Sequence, residues 1–410
     1  MRSGPGGGAR PASQQGMRQH NLALVMSTVA GRGPVSRAAV AGHTGLTRPA
    51  VSSLVDELLA AGLLTELGPA ANGRVGRPGS ALMVSDRGPA GLGLEVGVGH
   101  LGVCVTDLRG QARVWTVVES PNAALAPAEV LARLAALAGE ATAEAAGLGL
   151  RPVAAVMAVP GLVADASGTV GSAPNLGWHH VPVAGLWPGP LPPRVENEAN
   201  LGALAELSAH PVAADFIHVS AESGIGAALV VGGRLFTGAR GLAGELGHMP
   251  VHPDGPPCSC GARGCLEQYA AKAAVLRVAG LPPNPAGPRA GVTSAEERPG
   301  DGIALLADRA RAGDARVRRA LEEAGQALGT ALAGAVNLLD PAAVVLGGAY
   351  AELGEWLVPP MRRELAARVT VREWDPEALT VSELGRRGPL LGAALATVRS
   401  VLEDPTALWT

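Results

Sequence analysis

The sequence of 410 residues lacks long apolar runs, and this absence bounds where the protein can work. No run approaches the roughly eighteen apolar residues that a membrane-spanning helix needs. Residues 1–19 carry arginines and glycines but no hydrophobic signal core. We therefore expect a cytoplasmic protein without a membrane partner.

Cysteine is scarce as well, which excludes a disulfide framework. There are only four cysteines, and three of them lie between positions 258 and 265. A disulfide between Cys258 and Cys260 would be strained, since a single residue separates them. Cys104 stands alone in an apolar run and is predicted to belong to the core. The three clustered thiols are better explained as metal ligands.

The clustered thiols complete a zinc-ligand pattern with a nearby imidazole. His248, Cys258, Cys260 and Cys265 supply the nitrogen and three sulfurs of a closed tetrahedral site. Such a site holds a loop in place and leaves no position for a reactive water, so we expect a structural Zn²⁺. The alternative is a glycine-rich loop that happens to contain thiols.

Net charge is also small, at −3, and by itself suggests no polyanionic partner. Its distribution is uneven, however. Residues 1–85 hold eight Arg and three acidic residues, whereas the remainder has an acidic excess. A small basic module attached to an acidic ligand-binding body is the arrangement that this asymmetry indicates.

The basic part of the chain has the pattern of a winged helix-turn-helix domain over residues 17–85. Three short helices are predicted at residues 17–30, 36–44 and 48–61, followed by a hairpin. The polar N-terminal face of the third helix and the arginines of the hairpin tip are the predicted DNA contacts, namely Thr47, Arg48, Ser52, Ser53, Arg74 and Arg77. The alternative is an ordinary three-helix bundle with a solvated loop. Residues 1–16 show no periodicity, and we expect them to be disordered.

From residue 91 onward the pattern changes to strands and helices of an α/β protein. A three-strand meander followed by a helix and a buried strand is predicted at residues 91–159, and a second set of strands begins at residue 216. Residues 280–300 hold five prolines and are predicted to form a surface insertion. The repetition indicates two similar α/β lobes with a ligand cleft between them.

Three sequence runs together resemble one protein family. They are the Gly-Leu-Ala-Gly-Glu-Leu-Gly-His run that ends at His248, the Cys-Ser-Cys-Gly-Ala-Arg-Gly-Cys-Leu-Glu run that ends at Glu267, and the Glu-Asn-Glu-Ala-Asn run that ends at Asn200. These runs resemble the ROK family (repressors, open reading frames, kinases), and the basic module in front resembles its xylose-repressor-like and N-acetylglucosamine-repressor-like branch. The resemblance covers roughly residues 17–403.

The resemblance implies an actin-like, sugar-kinase fold of two lobes, preceded by the winged helix-turn-helix domain. The sugar-binding domain would span residues 88–403. Its first lobe would comprise about 88–197 with the C-terminal helix at 389–402, and its second lobe about 198–388. The resemblance also implies a monosaccharide in the cleft, bound by Asn175, Asn197, Glu198, Glu245, His248 and Glu267. Carboxylates and amides pair with sugar hydroxyls, and an imidazole that binds metal through one nitrogen can donate from the other.

The chain departs from the kinase members of the family at residues that carry catalysis. Those kinases have Asp, as the general base, where this chain has Glu198, and a misplacement of about 1 Å can cost on the order of a hundredfold in rate. Their first phosphate loop reads Asp-x-Gly-Gly-Thr, whereas here it runs from Glu95 to Gly99 with β-branched Val98. The run from Glu222 to Ala227 and the pair Gly347 and Gly348 still resemble the family's nucleotide-side turns.

These sequence features leave three candidate functions. The first is a sugar-responsive repressor with no catalytic residue, whose partners would be operator DNA and xylose, glucose or an amino sugar, and which would assemble as a homodimer or homotetramer. The second is an ATP-dependent sugar kinase with a fused DNA-binding module. The third is a zinc-stabilised scaffold without a ligand. The departures at Glu198 and Glu95 favour the first.

Overall fold

The structure is a computed structural model that describes residues 14–69, 80–164, 168–209, 214–282 and 302–409. The predicted wing tip with Arg74 and Arg77 lies outside the described residues, as do most of the predicted tail and nearly all of the 280–300 insertion. Among the described residues, no helix is long and apolar enough to cross a membrane.

The N-terminal part forms three helices and a small sheet. The elements are α1 (Gln14–Arg32), β1 (Val35–Ser36), α2 (Arg37–Thr44), α3 (Arg48–Ala60), β2 (Leu64–Pro69) and β3 (Ser80–Val84). The hydroxyls of Ser36 and Thr47 cap α2 and α3, as the sequence predicts. Helix α1 begins at Gln14, inside the segment predicted to be disordered. The strand β1, which pairs with β3, was not predicted.

A five-stranded sheet forms the centre of the next lobe. Its order is β11-β7-β4-β5-β6, with β4 (Gly88–Val96), β5 (His100–Asp107), β6 (Ala112–Glu119), β7 (Leu150–Val159) and β11 (Pro193–Asn197). Helix α4 (Pro127–Gly147) packs on it. A second sheet, missed by sequence reasoning, holds β8 (Leu162–Ala164), β9 (Thr169–Ala173) and β10 (Trp178–Pro182), and is followed by the short helix α5 (Val183–Leu186).

The following lobe repeats the topology of the first sheet. Its order is β14-β13-β12-β15-β16, with β12 (Phe216–Ala221), β13 (Ile225–Val231), β14 (Arg234–Phe236), β15 (Ala343–Gly348) and β16 (Leu379–Val381). In both sheets an antiparallel three-strand meander continues into two parallel strands. The expectation of two similar α/β lobes is confirmed.

In the described part of the chain, seven further helices pack around the two five-stranded sheets. They are α6 (Glu198–Ala209), α7 (Glu267–Ala270), α8 (Lys272–Val278), α9 (Gly302–Arg311), α10 (Ala315–Leu339), α11 (Gly354–Arg368) and α12 (Gly388–Glu403). Helix α12 lies against β4 so closely that a methyl group at Gly93 would come within 2.6 Å of the α12 backbone. Its far end contributes Val398 and Val401 to the core that holds α1–α3. Helix α12 therefore contacts the part of the chain that forms the cleft and also the N-terminal domain.

Candidate functional site

The four predicted metal ligands come together in one cluster. One ligand atom from each of His248, Cys258, Cys260 and Cys265 lies within 4.8 Å of the others. The Sγ atoms of Cys260 and Cys265 are 3.7 Å apart. Two sulfurs bound at 2.3 Å to one tetrahedral zinc would be roughly 3.8 Å apart, so the spacing fits the ion.

The backbone around the cluster explains its glycines. Gly264 has a φ of +67°, and a methyl group there would meet the carbonyl oxygen of His252 at 1.6 Å. The amide of Cys258 donates to the carbonyl of Ala262 at 2.8 Å, which closes a tight turn between ligands. Only glycine permits this approach, so the sequence builds the turn that brings the thiols together.

The Cys265 thiol is poorly suited to lose its proton without a cation beside it. Burial, together with the neighbouring Cys260 and Cys258, raises the pKa of the Cys265 thiol to about 12. Thiolate ligands become stable when a divalent cation offsets their charge. The four donors therefore fit a metal site. Zinc bound there would hold the loop in place and would not take part in a reaction.

His248 is oriented with one nitrogen toward the thiols and the other toward the cleft. Its Nδ1 lies 3.8 Å from Cys258 Sγ, whereas its Nε2 lies 3.9 Å from Glu245 Oε2. Burial raises the pKa of Glu245; His248 opposes this rise, and the nearby Glu267 carboxylate adds to it. The imidazole can therefore hold metal on one side and donate to a ligand on the other.

A cleft of about 550 Å³ opens beside the metal cluster, between the two lobes. This volume lies within the range of small-molecule sites. All six residues predicted to bind sugar line it, namely Asn175, Asn197, Glu198, Glu245, His248 and Glu267. They come from both lobes, since Asn175 follows β9 and Glu267 begins α7.

The position of Glu267 is fixed by a backbone contact. The amide of Ile225 donates to its Oε1 at 2.8 Å. A methyl group at Gly224 would lie 2.6 Å from the same oxygen and 3.3 Å from Asn175 Nδ2. The glycine at position 224 therefore makes room for an amide and a carboxylate side by side, a pairing suited to vicinal hydroxyls.

Asn197 has a structural role that limits what it can offer a ligand. Its Oδ1 accepts from the amides of Ala199 at 2.8 Å and Asn200 at 3.3 Å, which caps α6. Its Nδ2 donates to the carbonyl of Gly161 at 2.8 Å. The capping role weighed for this residue at the sequence level is therefore present, and Glu198 follows it in the first turn of α6, facing the cleft.

Two groups of contacting residues near the cleft were missed by sequence reasoning. In the first, the His100 ring fills the turn after β4, where a methyl group at Gly97 would overlap it at 1.9 Å. His100 Nε2 lies 3.1 Å from Glu95 Oε1, and both residues are buried. Asn122 Nδ2 donates to the carbonyls of Gly97 at 2.7 Å and His100 at 2.8 Å.

The second group joins residues that are far apart in sequence. Arg386 contacts Glu222 Oε1 at 3.3 Å through Nη1, and Glu352 Oε1 at 2.5 Å through Nε. The side chain of Arg386 is only 8% exposed. Glu222 also lines the cleft. Because 164 residues separate Glu222 from Arg386, no local sequence signal could have revealed this pair.

The predicted DNA-binding face is exposed where the structure describes it. Thr47, Arg48 and Ser53 are exposed and Ser52 is partly buried. The Thr47 hydroxyl accepts from the amide of Ala50 at 3.4 Å, so it has a capping role as well.

Sequence reasoning missed Arg37, which holds the third helix against the wing strand. Its guanidinium contacts Asp56 of α3 at 2.7 Å and Glu66 of β2 at 2.9 Å. It also donates to the carbonyl of Ser52 at 3.4 Å. These contacts orient α3 relative to the hairpin.

Comparisons with known proteins agree with this geometry. The chain is 29% identical over 401 residues to a putative xylose repressor of Caldicellulosiruptor sp. (strain Rt8B.4), an alignment that covers 95% of this chain and 98% of that one. A solved ROK family transcriptional regulator, described as a homologue of the E. coli MLC protein, matches with a TM-score of 0.75 and 24% identity over 96% of this chain and 98% of its own.

A solved enzyme also matches a large part of this chain. It is a ROK family glucokinase from Streptomyces griseus in complex with glucose and AMPPNP, with a TM-score of 0.61 and 30% identity over 75% of this chain and 98% of its own. The profile of the ROK family matches residues 91–399. The repeated lobes, the His-Cys₃ cluster beside the cleft and this match over most of the sequence lead to one conclusion: the chain belongs to the ROK family.

Proposed function

We propose that the protein is a sugar-responsive DNA-binding transcriptional repressor that senses a monosaccharide in the cleft beside the metal cluster. The observation that carries the proposal is that a single chain joins a polar cleft, built from carboxylates, amides and an imidazole, to an exposed helix-turn-helix face. The relative named putative xylose repressor, which aligns over nearly the whole chain, supports it.

In this proposal residues 17–85 bind operator DNA and residues 88–403 bind the sugar. A dimer, or a dimer within a tetramer, presents two third helices to successive major grooves. Arg48 and Ser53 contact base edges, whereas Arg74 and Arg77 contact the backbone or the minor groove. The protein acts in the cytoplasm, where it meets both operator and sugar.

Zinc, held by His248, Cys258, Cys260 and Cys265, would fix the loop that carries two of the sugar-binding groups. Glu245 lies three residues before His248 and Glu267 two residues after Cys265. Because the loop is rigid, a contact between Glu245 or Glu267 and a sugar hydroxyl moves the whole lobe. A flexible loop would only change its own conformation. Loss of the zinc should therefore also weaken the response of the protein to sugar.

Helices α6 and α12 supply a physical route from the cleft to the DNA-binding domain. Helix α6 starts at Glu198 in the cleft and packs against α12, which ends in the core of the N-terminal domain. Asp404, just after α12, hydrogen-bonds Gln19 of α1. A sugar that favours one arrangement of the lobes therefore shifts α12 and the DNA-binding helices together, with a coupling of roughly 1 to 3 kcal/mol.

A sugar kinase is the second candidate, favoured by the likeness to the Streptomyces griseus glucokinase. Two features count against it. Glu198 stands where a catalytic Asp would be expected, and the His100 ring fills the first phosphate turn. A coupled assay of ADP formation with glucose, mannose, N-acetylglucosamine and xylose is expected to give no signal. Robust turnover that Glu198→Gln abolishes would establish the kinase instead.

Thermal unfolding with a panel of monosaccharides tests the sugar site itself. A ligand at a hundred times its dissociation constant stabilises the folded state by about 2.7 kcal/mol. We expect at least one sugar to produce such a shift. A zinc-stabilised scaffold without a ligand would show no shift with any of them.

A further inference from the structure

The walls of the cleft carry negative charge. Four glutamates line it, Glu198, Glu222, Glu245 and Glu267, and the described lining residues include no Lys or Arg. The metal cluster does not reverse this sign, because Zn²⁺ with three thiolates and a neutral imidazole has a net charge of −1. An anionic group that entered the cleft would therefore meet like charges.

The glycine-rich turn between β12 and β13 could otherwise cradle a phosphate, but it bears Glu222. Its carboxylate lies 3.3 Å from Arg386, whose guanidinium is also paired with Glu352 at 2.5 Å. Two carboxylates around one cation leave a net negative cluster at the turn. The buried guanidinium is thereby committed to these carboxylates and is not presented to a phosphate.

Two other places where a phosphate could bind are also filled. The turn after β4 holds the His100 ring, and its carbonyls of Gly97 and His100 accept from Asn122. The N-terminus of α6 has its amides of Ala199 and Asn200 capped by Asn197 Oδ1, with the Glu198 carboxylate beside them. A helix N-terminus attracts anions only when its amides are open.

From these three observations we infer that the cleft selects monosaccharides without a phosphate or other anionic substituent, and that Glu222, held by Arg386, is a specificity-determining residue that rejects the phosphorylated form. The inference rests on the proposed function, since it presumes that a sugar binds in this cleft. It narrows the effector to neutral or positively charged sugars and excludes sugar phosphates and nucleotides as effectors.

Isothermal titration calorimetry on the full-length, zinc-loaded protein tests the selection. The probes are glucose, N-acetylglucosamine and xylose, each paired with its phosphate ester: the 6-phosphates of the first two and xylose 5-phosphate. We expect at least one free sugar to bind, with its ester at least about 100-fold weaker, because a like charge placed in such a site is strongly unfavourable. An ester that binds as tightly as its free sugar, or more tightly, overturns the inference and leaves the proposed function standing.

Three variants test the role of Glu222. Glu222→Gln removes the charge and is expected to reduce the ratio of free-sugar to ester affinity at least about tenfold. Glu222→Asp keeps the charge and should retain most of the discrimination. Glu355→Gln, an equal change of charge at an exposed position on α11, should leave the ratio at its original value.

If Glu222→Gln and Glu355→Gln give the same ratio, Glu222 does not set the specificity. If neither a sugar nor an ester binds to the unmodified protein, the proposed function fails, and the inference fails with it.

Discussion

Gly392 of α12 lies directly against the backbone of Leu201 in α6. A methyl group at Gly392 would come within 1.8 Å of the Leu201 carbonyl oxygen. Leu201 lies about one turn after Glu198, whose side chain lines the cleft, and nine residues beyond Gly392 the same helix places Val401 in the core of the DNA-binding domain. In the proposed mechanism, the crossing of α6 and α12 is the point where a change in the cleft reaches the DNA-binding helices.

Gly392→Ala is expected to force the two helices apart. Overpacking of this kind costs about 1 to 3 kcal/mol of stability, and the displaced α12 should reduce the effect of sugar on DNA affinity. Chemical denaturation measures the first effect, and DNA titrations with and without sugar measure the second. Gly139→Ala in α4 is the matched control, because nothing lies within 4 Å of the added methyl group. If the two variants behave alike, the crossing does not transmit the signal.

Cys260→Ser is expected to lose zinc and the response to sugar together. Removal of one thiolate leaves three donors for a site that needs four, and the loop carrying Glu245 and Glu267 loses its anchor. Metal content by mass spectrometry and sugar binding by calorimetry measure the two losses. Cys104→Ala, at a buried cysteine remote from the cluster in sequence, should retain its zinc. A Cys260→Ser protein without metal that still responds to sugar would break the proposed link.

Arg48→Ala and Arg77→Ala are expected to weaken DNA binding in different ways. Arg48 is exposed at the first position of α3 and is predicted to contact base edges, so its loss should reduce discrimination between operator and random DNA by about 1 to 3 kcal/mol. Arg77 is predicted to contact the backbone, so its loss should weaken binding to all sequences and lower the salt dependence. Equal effects of both substitutions on specific and random DNA would refute this division.

His218 is expected to make the protein less stable in mild acid. Burial lowers the pKa of its imidazole from 6.5 to about 4. Below pH 6.5 the unfolded chain therefore takes up a proton that the folded protein refuses until about pH 4, and the free energy of unfolding falls as the pH decreases through this window. The loss between pH 7.5 and 5 amounts to about 2 kcal/mol.

His218→Asn should remove that part of the pH dependence. The substitution also lowers stability at pH 7.5, because His218 fills the space between Gly202 and Gly347, so the quantity to compare is the difference between the two pH values. Urea unfolding at pH 7.5 and 5 supplies it. His179→Asn, at an exposed position, should keep the full loss. An unchanged pH dependence in His218→Asn would rule out its titration as the cause.

The sequence allowed good prediction of features that depend on neighbouring residues. The four predicted metal ligands lie within eighteen positions of one another and cluster in the structure. The caps at Ser36 and Thr47 directly precede their helices. For the cluster and the caps, spacing and residue type were sufficient. The six sugar-binding residues were predicted from the family resemblance. The structure brings them to one cleft, and their roles stay predictions.

Features that depend on the fold could not be predicted in the same way. The contact of Arg386 with Glu222 spans 164 residues, and nothing near either residue indicates it. From the sequence, Asn197 could be a helix cap or a sugar-binding residue. An amide just before a helix is compatible with both roles, so the sequence could not decide between them. The small sheet of β8–β10 was missed because its strands are only three to five residues long.

The affinity for DNA, measured with and without sugar, tests most directly whether the protein is a sugar-responsive repressor. Selection from random-sequence DNA with the full-length, zinc-loaded protein would first give a preferred site, and fluorescence anisotropy would then measure its dissociation constant. A sugar-responsive repressor should bind one sequence specifically, and at least one unphosphorylated monosaccharide should change the dissociation constant by about fivefold or more. If the protein selects no DNA sequence, or if its affinity for the selected site is the same with every sugar that it binds, it is not a sugar-responsive repressor.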